Sequence, residues 1–220
     1  MTGPKSPSDE PLETVVLGYP LRYVAAVWRL LGIEGGHSND PIDRDGETNL
    51  GISLRFLRAE GQIDLDGDGI ADFDLDMDGD IDGADIRALT RGDAVWLYHE
   101  CFWKRLGCDA LPAPIGEMVF DQAVNGGAAA AKKLLQRAIN AVIASYQLNS
   151  IPVAVDGAIG PRTLQQLDSL IKRPDLGVAV IVRAYRAAAA DRYRAIVAAD
   201  PSQKRFINGW LRRAAELGKL

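Results

Sequence analysis

The sequence lacks any run of about 18 apolar residues, the length that a membrane-spanning helix requires, so we expect no membrane span. The amino terminus also lacks the charged-then-apolar pattern of a signal peptide. Residues 1–18 contain three prolines and scattered charges, and they predict a flexible tail. No nucleic-acid-binding motif occurs, so no nucleic-acid partner is expected.

Cysteine is scarce, with only Cys101 and Cys108 in 220 residues. On one continuous helix, a separation of seven residues places them about 10 Å apart, too far for a disulfide. Gly107 is expected to interrupt that helix, so a disulfide stays open as an alternative. A zinc site built from His99 and the cysteines is the weaker hypothesis, because no metal-ligand spacing is complete.

Basic residues are missing from one long stretch. Residues 64–85 contain ten of the thirty acidic residues and no Lys or Arg. Although the chain has a net charge of −5, the remaining 20 acidic and 25 basic residues give a net charge of +5. The part of the chain outside residues 64–85 is therefore mildly basic, which favours an anionic polymer such as peptidoglycan as partner.

Glu34 stands at the carboxyl end of the first predicted helix, where its surroundings affect its protonation. Helical spacing of apolar residues predicts a helix over residues 20–34, which Gly35-Gly36 then ends. The negative end of the helix dipole and the adjacent apolar side chains both favour a protonated Glu34, as general acid catalysis at a glycosidic bond requires. A surface glutamate at a helix end is the alternative. The apolar positions are Tyr23, Val27, Leu30 and Leu31.

A small hairpin region is predicted over residues 37–53. Asp45-Gly46 indicates a tight turn, and residues 48–53 predict a short strand. The string EGGHSNDPIDRDGETNLGI, from Glu34 to Ile52, closely resembles the phage-type N-acetylmuramidase family, glycoside hydrolase family 108. The usual pattern of that family is E-G-G-Y-x-N-x-P-x-D-x-G-G-x-T-x-x-G-I. Two departures are His37, in place of the usual Tyr, and Asp45, in place of the first Gly of the pair.

The resemblance implies a mainly α, lysozyme-like fold with a small β-hairpin, and hydrolysis of the β-1,4 bond between N-acetylmuramic acid and N-acetylglucosamine. It implies that Glu34 is the catalytic acid. Asp43 and Thr48 would hold water or stabilise the oxocarbenium-like state, with Asp45 as competitor to Asp43. His37 would contact substrate. Two alternatives stay open, a lytic transglycosylase and a non-enzymatic, calcium-dependent wall-binding module.

The acidic stretch contains two overlapping candidates for calcium loops, inserted between helical segments over residues 62–86. In the second, the aspartates and Gly79 follow the spacing of an EF-hand, and the aspartate at its last position resembles dockerin-type loops. Its predicted ligands are Asp74, Asp76, Asp78, Asp80, Asp82 and Asp85. A disordered acidic loop is the alternative for both candidates.

The first candidate loop is less complete. Its predicted ligands are Asp64, Asp66, Asp68 and Asp72. Because Leu75 stands at position 12, the closing ligand is missing there. The arrangement resembles thrombospondin-type-3 repeats, in which loops share aspartates, so we expect Asp74 or Asp76 to close the loop. Bound Ca²⁺ is therefore the expected cofactor, with ten carboxylates that would otherwise repel one another.

Beyond the insert, a helix is predicted over residues 86–102. The aromatic residues Trp96, Tyr98, Phe102 and Trp103 suit core packing or stacking on sugars.

A long helical region over residues 115–146 is interrupted near Asn125, and its string VFDQAVNGG resembles the F-D-x-A-V-N-x-G element of the same family. Gln122 and Asn125 are candidate substrate-binding groups, with a capping or core role as the alternative. For Asp121 a helix–helix hydrogen bond is favoured over a second catalytic carboxylate.

The carboxy-terminal half resembles predicted peptidoglycan-binding modules in the string DGAIGPRT, residues 156–163. Helices are expected over residues 175–199 and 205–217. We therefore predict a flexible tail (1–18), a muramidase segment (19–110) and a helical peptidoglycan-binding region (111–220). The resemblance implies a bacteriophage endolysin or a related bacterial muramidase, a monomer present in the host cytoplasm before it acts on the cell wall.

Overall fold

The computed structural model describes residues 17–33 and 46–219, with the Ile33 side chain excepted. The chain divides into two compact units, the first ending at Cys101 and the second beginning at Phe102. In the described residues no helix is both long and apolar enough to cross a membrane. The predicted domain bounds, with a break after residue 110, remain a prediction.

The first helix, α1, spans Leu21–Ile33, as the apolar spacing predicts. Tyr23, Val27 and Leu30 are all buried, because positions three and four residues apart share one face of the helix. The Tyr23 hydroxyl donates a hydrogen bond to the carbonyl of Val95. This bond fixes α1 against a helix that lies more than sixty residues further along the chain.

A two-stranded antiparallel sheet follows, with β1 at Thr48–Asn49 and β2 at Ile52–Ser53. Thr48 pairs with Ser53, and Asn49 pairs with Ile52. The prediction of one strand over residues 48–53 is therefore wrong. Leu50 and Gly51 form the turn with φ angles of 52° and 77°. Two consecutive positive φ angles match the twist of a two-residue hairpin turn.

Three short helices complete the first unit. Helix α2, Leu54–Glu60, is capped by Ser53 and ends at Gly61. Helices α3 and α4 follow the insert at Gly83–Ala88 and Arg91–Leu97. The single helix predicted over residues 86–102 is thus wrong, because Thr90 caps a new helix and makes a capping box with Asp93.

The second unit is almost entirely helical. A π-helical segment at Tyr98–Lys104 runs into it. Its ordered elements are a 3₁₀ turn at Cys108–Ala110, α5 at Ile115–Gly126, α6 at Ala128–Ser145, α7 at Pro161–Ile171, α8 at Val178–Ala199, a 3₁₀ segment at Pro201–Phe206 and α9 at Ile207–Glu216. The break near Asn125 is confirmed, with Gly127 at a φ of 88° between α5 and α6.

The buried aromatic residues decide one open question. Trp103 and Tyr98 are almost fully buried, so both serve core packing rather than sugar stacking. Trp96 is partly exposed and lies with its ring centroid 5.6 Å from that of Phe73. Cys101 and Cys108 are both buried, and no disulfide joins them.

Candidate active site and metal-binding loops

The described part of the candidate active site consists of α1 and the hairpin. Four predicted site residues, Glu34, His37, Asp43 and Asp45, lie outside the described residues. Thr48 is described, half-buried in β1, with its Oγ1 3.4 Å from the carbonyl oxygen of Gly46. A threonine hydroxyl there offers both a donor and an acceptor to a sugar or a water.

Glu47 is a buried carboxylate that the sequence did not single out. Only 8% of its side chain is exposed, and Arg87 Nη1 donates to its two oxygens at 2.8 and 3.0 Å. A Cβ atom on Gly83 would lie 2.5 Å from Glu47 Oε2, so a side chain at that position would displace the Glu47 carboxylate. Glu47 and Arg87 stand forty residues apart in the chain, and no local spacing predicts their contact.

Asn49 makes a second connection between the hairpin and α3. Its Nδ2 donates to the carbonyl oxygen of Ile86 at 2.9 Å, and the side chain is 6% exposed. Buried amides need such partners, because an unpaired donor loses its hydration without compensation. The hairpin is therefore attached by two side chains to the helix that immediately follows the aspartate-rich insert.

The second aspartate loop is folded around Asp74, which is 5% exposed. Its two carboxylate oxygens accept from the backbone N–H groups of Asp78 at 3.1 Å and Gly79 at 2.8 Å. Gly79 has a φ of 100°, which residues other than glycine rarely adopt. Carboxylate oxygens of three residues, Asp74, Asp76 and Asp78, lie within 4.8 Å of one another.

Asp85 closes this second loop from the interior of the unit. It is 1% exposed, and its oxygens accept from the N–H groups of Leu75 at 2.6 Å and Asp82 at 2.7 Å. Asp82 caps α3 through the N–H of Ala84, completing a capping box. Asp80, Asp82 and Asp85 are not in the compact group of three carboxylates among the described residues.

The first loop repeats this geometry ten residues earlier. Asp64 accepts from the N–H groups of Gly67 at 2.7 Å and Gly69 at 3.1 Å. Asp72 accepts from the N–H of Leu65 at 3.2 Å, as Asp85 does from Leu75 in the second loop. The compact carboxylate group here is Asp64, Asp66 and Asp72, without Asp68. Asp72 lies in the first group, and closure of the first loop on a metal by Asp74 or Asp76 remains a prediction.

The donor set of both loops fits a hard cation. Each group offers three carboxylates, and backbone carbonyls and water supply further oxygens to calcium. Mutual repulsion is evident, since the Asp78 carboxylate raises the pKa of Asp80. Lost hydration, followed by repulsion from the Asp78 carboxylate, raises the pKa of Asp76. Among the described residues these groups contain neither His99 nor a cysteine, so the zinc hypothesis finds no support.

The polar residues of α5 are occupied by other helices of the second unit. Asp121 accepts from Arg213 Nε at 3.0 Å, which confirms the favoured helix–helix role. Gln122 is 2% exposed and donates to the Tyr193 hydroxyl at 3.0 Å. The same hydroxyl donates to Asn125 Oδ1 at 2.9 Å. Gln122 thus has the core role that the sequence left open, whereas Asn125 is exposed, and the predicted contact of both amides with substrate remains a prediction.

Comparison with known families identifies the chemistry of the first segment. Residues 27–127 match the family model described as Glycosyl hydrolase 108. The protein carries a glycosyl hydrolase 108 domain. The prediction of a glycoside hydrolase is therefore confirmed. This domain includes Glu34, the hairpin, both aspartate loops and α5.

Residues 130–215 match a second family, described as Predicted Peptidoglycan domain. The combination of this segment with the glycosyl hydrolase 108 domain supports a peptidoglycan hydrolase. In the second segment, Asp156 accepts from Gln136 Nε2 at 2.7 Å and from the N–H of Ala158 at 2.8 Å. The Ala158 hydrogen bond, followed by that from Gln136, lowers the pKa of Asp156. These contacts hold the glycine-containing loop of the predicted motif against α6.

The solved structure of SagA from Brucella abortus is similar to this chain. It has 25% sequence identity and a TM-score of 0.64, and the match covers 90% of this chain and 91% of SagA. The mainly helical, lysozyme-like fold class with a small β-hairpin is confirmed. A search of curated proteins finds no match.

Proposed function

We propose that the glycosyl hydrolase 108 domain cleaves the β-1,4 bond between N-acetylmuramic acid and N-acetylglucosamine, with Glu34 as general acid. The observation that carries this proposal is the family match over residues 27–127. Within this segment, α1 leads directly to Glu34, and the hairpin follows. A glutamic acid at the negative end of a helix dipole is favoured in its protonated form. It can then give its proton to the leaving glycosidic oxygen.

Thr48 and Asp43 are the proposed partners of Glu34. A carboxylate opposite the acid either activates water or stabilises the oxocarbenium-like state. Asp43 keeps the family's position for this role, whereas Asp45 stands where the family has glycine. The half-buried hydroxyl of Thr48 would orient the water or a sugar hydroxyl.

We further propose that calcium binds both aspartate loops and stabilises the domain without taking part in bond cleavage. The support is the pair of compact carboxylate groups with the hydrogen-bonded glycine turns. Asp64, Asp66 and Asp72 would hold one ion, and Asp74, Asp76 and Asp78 the other. A bound ion would neutralise repulsion among carboxylates that have no basic neighbour in residues 64–85.

Mass spectrometry of digested peptidoglycan tests the bond and the reaction together. Fragments with a reducing muramic acid end support hydrolysis of the proposed bond. A 1,6-anhydro end would establish a lytic transglycosylase, a reducing glucosamine end would identify the wrong bond, and binding without fragments would establish a wall-binding module.

The Glu34→Gln variant tests the acid, since it is nearly isosteric but has no acidic proton. We expect turnover to fall by about 10²–10⁴-fold with the fold intact. Retention of more than about a tenth of turnover would show that another group is the acid. Asp43→Asn and Asp45→Asn form a matched pair, with the larger loss expected at Asp43. Equal, small losses of turnover would mean that the reaction requires neither hairpin carboxylate.

A further inference from the structure

A groove lies between α6 and α8 in the second unit, and none of the residues assigned a catalytic or metal-binding role above lines it. Its larger part has a volume of about 660 Å³, which is within the range typical of ligand sites. A second hollow of about 490 Å³ continues it. Arg137, Arg192 and Ala195 line both parts, so the two hollows form one groove.

The floor of the groove is made of small apolar side chains. Alanines recur along α8 at helical spacing, and α6 contributes Ala141 and Val142. Beside the groove, the buried Tyr185 hydroxyl donates to the Ala131 carbonyl at 3.1 Å and ties the two helices together. The α8 alanines that line the groove are Ala184, Ala187, Ala188, Ala195 and Ala199. A floor of methyl groups suits a chain whose own side chains are small.

The sides of the groove are basic. Lys133, Arg137, Arg183 and Arg192 line it, and Asp191 is the acidic residue among the lining side chains. Asp191 is already paired with Arg194 at 2.8 Å. Arg137 and Arg183 are exposed, and neither is ion-paired to a carboxylate within residues 17–33 and 46–219. The groove thus presents positive charge over an apolar floor.

We propose that this groove binds the stem peptides of peptidoglycan, with Arg137 and Arg183 pairing with peptide carboxylates. The proposal rests on the proposed function and names a second part of the same substrate. Stem peptides are short, rich in alanine and carry free carboxylates, whereas the glycan to which they are attached offers mainly neutral hydroxyl and amide groups. Guanidinium groups bind carboxylates through two parallel hydrogen bonds. Charge complementarity therefore selects the peptide rather than the sugar chain.

Calorimetry with the full-length protein and a soluble stem tetrapeptide (L-Ala, D-Glu, diaminopimelate, D-Ala) tests the site directly. We expect the double variant Arg137→Gln/Arg183→Gln to bind about tenfold more weakly, the loss that two exposed charge pairs can produce. The matched control Lys204→Gln/Arg212→Gln removes two exposed charges outside the groove and should bind as the wild type does. Added salt should weaken wild-type binding, because exposed charges are screened.

Sedimentation with purified sacculi, together with calorimetry on the soluble glycan strands that an amidase releases from them, completes the test. The double variant should bind intact sacculi more weakly than the control variant, and both should bind the peptide-free strands equally. Equal binding of the tetrapeptide by both double variants would overturn the proposal. So would a change in oligomeric state confined to the groove variant, which would identify a second copy of the chain as occupant. Digestion without tetrapeptide binding refutes the groove alone, whereas tetrapeptide binding without digestion refutes the proposed hydrolysis alone.

Discussion

The two aspartate loops begin alike and end differently. In each, the first aspartate accepts the N–H of a glycine five residues later, Gly69 in the first loop and Gly79 in the second. The first loop closes through Asp72 at its ninth position, and the second through Asp85 at its twelfth. The closing residue therefore differs although the turn is the same.

Burial separates the two loops further. Around the second loop, Phe73 and Ile81 are buried, with 5% and 3% exposure, and Asp85 is 1% exposed. In the first loop, Leu65 and Ile70 remain exposed at 71% and 37%. The second loop therefore folds as part of the core, because its last residue lies in the first turn of α3, whereas the first loop is held mainly by its own backbone.

Loss of Asp85 should have the largest effect on stability. Asp85→Ala leaves the part-buried N–H groups of Leu75 and Asp82 without the carboxylate that accepts from them. We expect the free energy of unfolding to fall by about 3 kcal/mol, measured by urea denaturation in a chelator so that no metal contributes. Asp93→Ala, at the equivalent capping-box position of α4, is the matched control and should lose about 1 kcal/mol. Equal losses would show that Asp85 acts as a helix cap and nothing more.

Calcium should have the next largest effect. Binding to the folded state alone stabilises by about 2.7 kcal/mol at a hundredfold excess over the dissociation constant. We expect a chelator to lower the melting temperature and to reduce turnover partially, with Asp78→Ala reproducing much of this effect and Asp68→Ala little. The reason is that Asp78 belongs to the compact group of the buried loop, while Asp68 lies outside its own group. Calorimetry that shows no binding at millimolar calcium would exclude a stabilising role for the metal.

The sequence predicted local structure well. Helix α1 and the break before α6 both follow from residues within a few positions of one another. The turn at Leu50-Gly51 was missed, since Leu50 is not a residue that usually adopts a positive φ. Asp72 was among the predicted ligands of the first loop, but its hydrogen bond with the Leu65 N–H was not foreseen, because the EF-hand spacing places the last ligand three residues later.

Long-range partners in the candidate site were beyond sequence reasoning. Glu47 and Arg87 meet only because β1 and α3 pack together, and neither residue type nor spacing signals that contact. By contrast, the family pattern supplied Glu34 and Thr48 directly, since a family match records residues that act together irrespective of their separation. The roles of Glu34 and Thr48 remain predictions.

Glu47→Gln tests whether the second loop acts on the hairpin through α3, because it weakens the contact between Glu47 and Arg87. Glu47 is 8% exposed and Arg87 55%, so solvent screens part of the ion pair, and we expect a loss of about 1 kcal/mol in unfolding free energy. Calorimetric calcium affinity should stay unchanged, while turnover should respond less to calcium than in the wild type. The control is Asp168→Asn, which removes an exposed ion pair with Lys172. It should alter neither the calcium affinity nor the response of turnover to calcium. A weaker calcium affinity in Glu47→Gln would mean that Glu47 supports the loop itself.

Asp72→Asn should have the smallest effect on stability and a clear effect on metal stoichiometry. The amide keeps an oxygen to accept the Leu65 N–H, so the free energy of unfolding without calcium should change by less than about 0.5 kcal/mol. The lost charge leaves the first group with two carboxylates, Asp64 and Asp66, so calorimetry should count one bound calcium ion where the wild type binds two. Asp109→Asn, an exposed aspartate outside both loops, should leave the count unchanged. Two ions bound with unaltered affinity would mean that the first loop closes on calcium through Asp74 or Asp76, so that the loops share a ligand and the difference in closure holds only without metal.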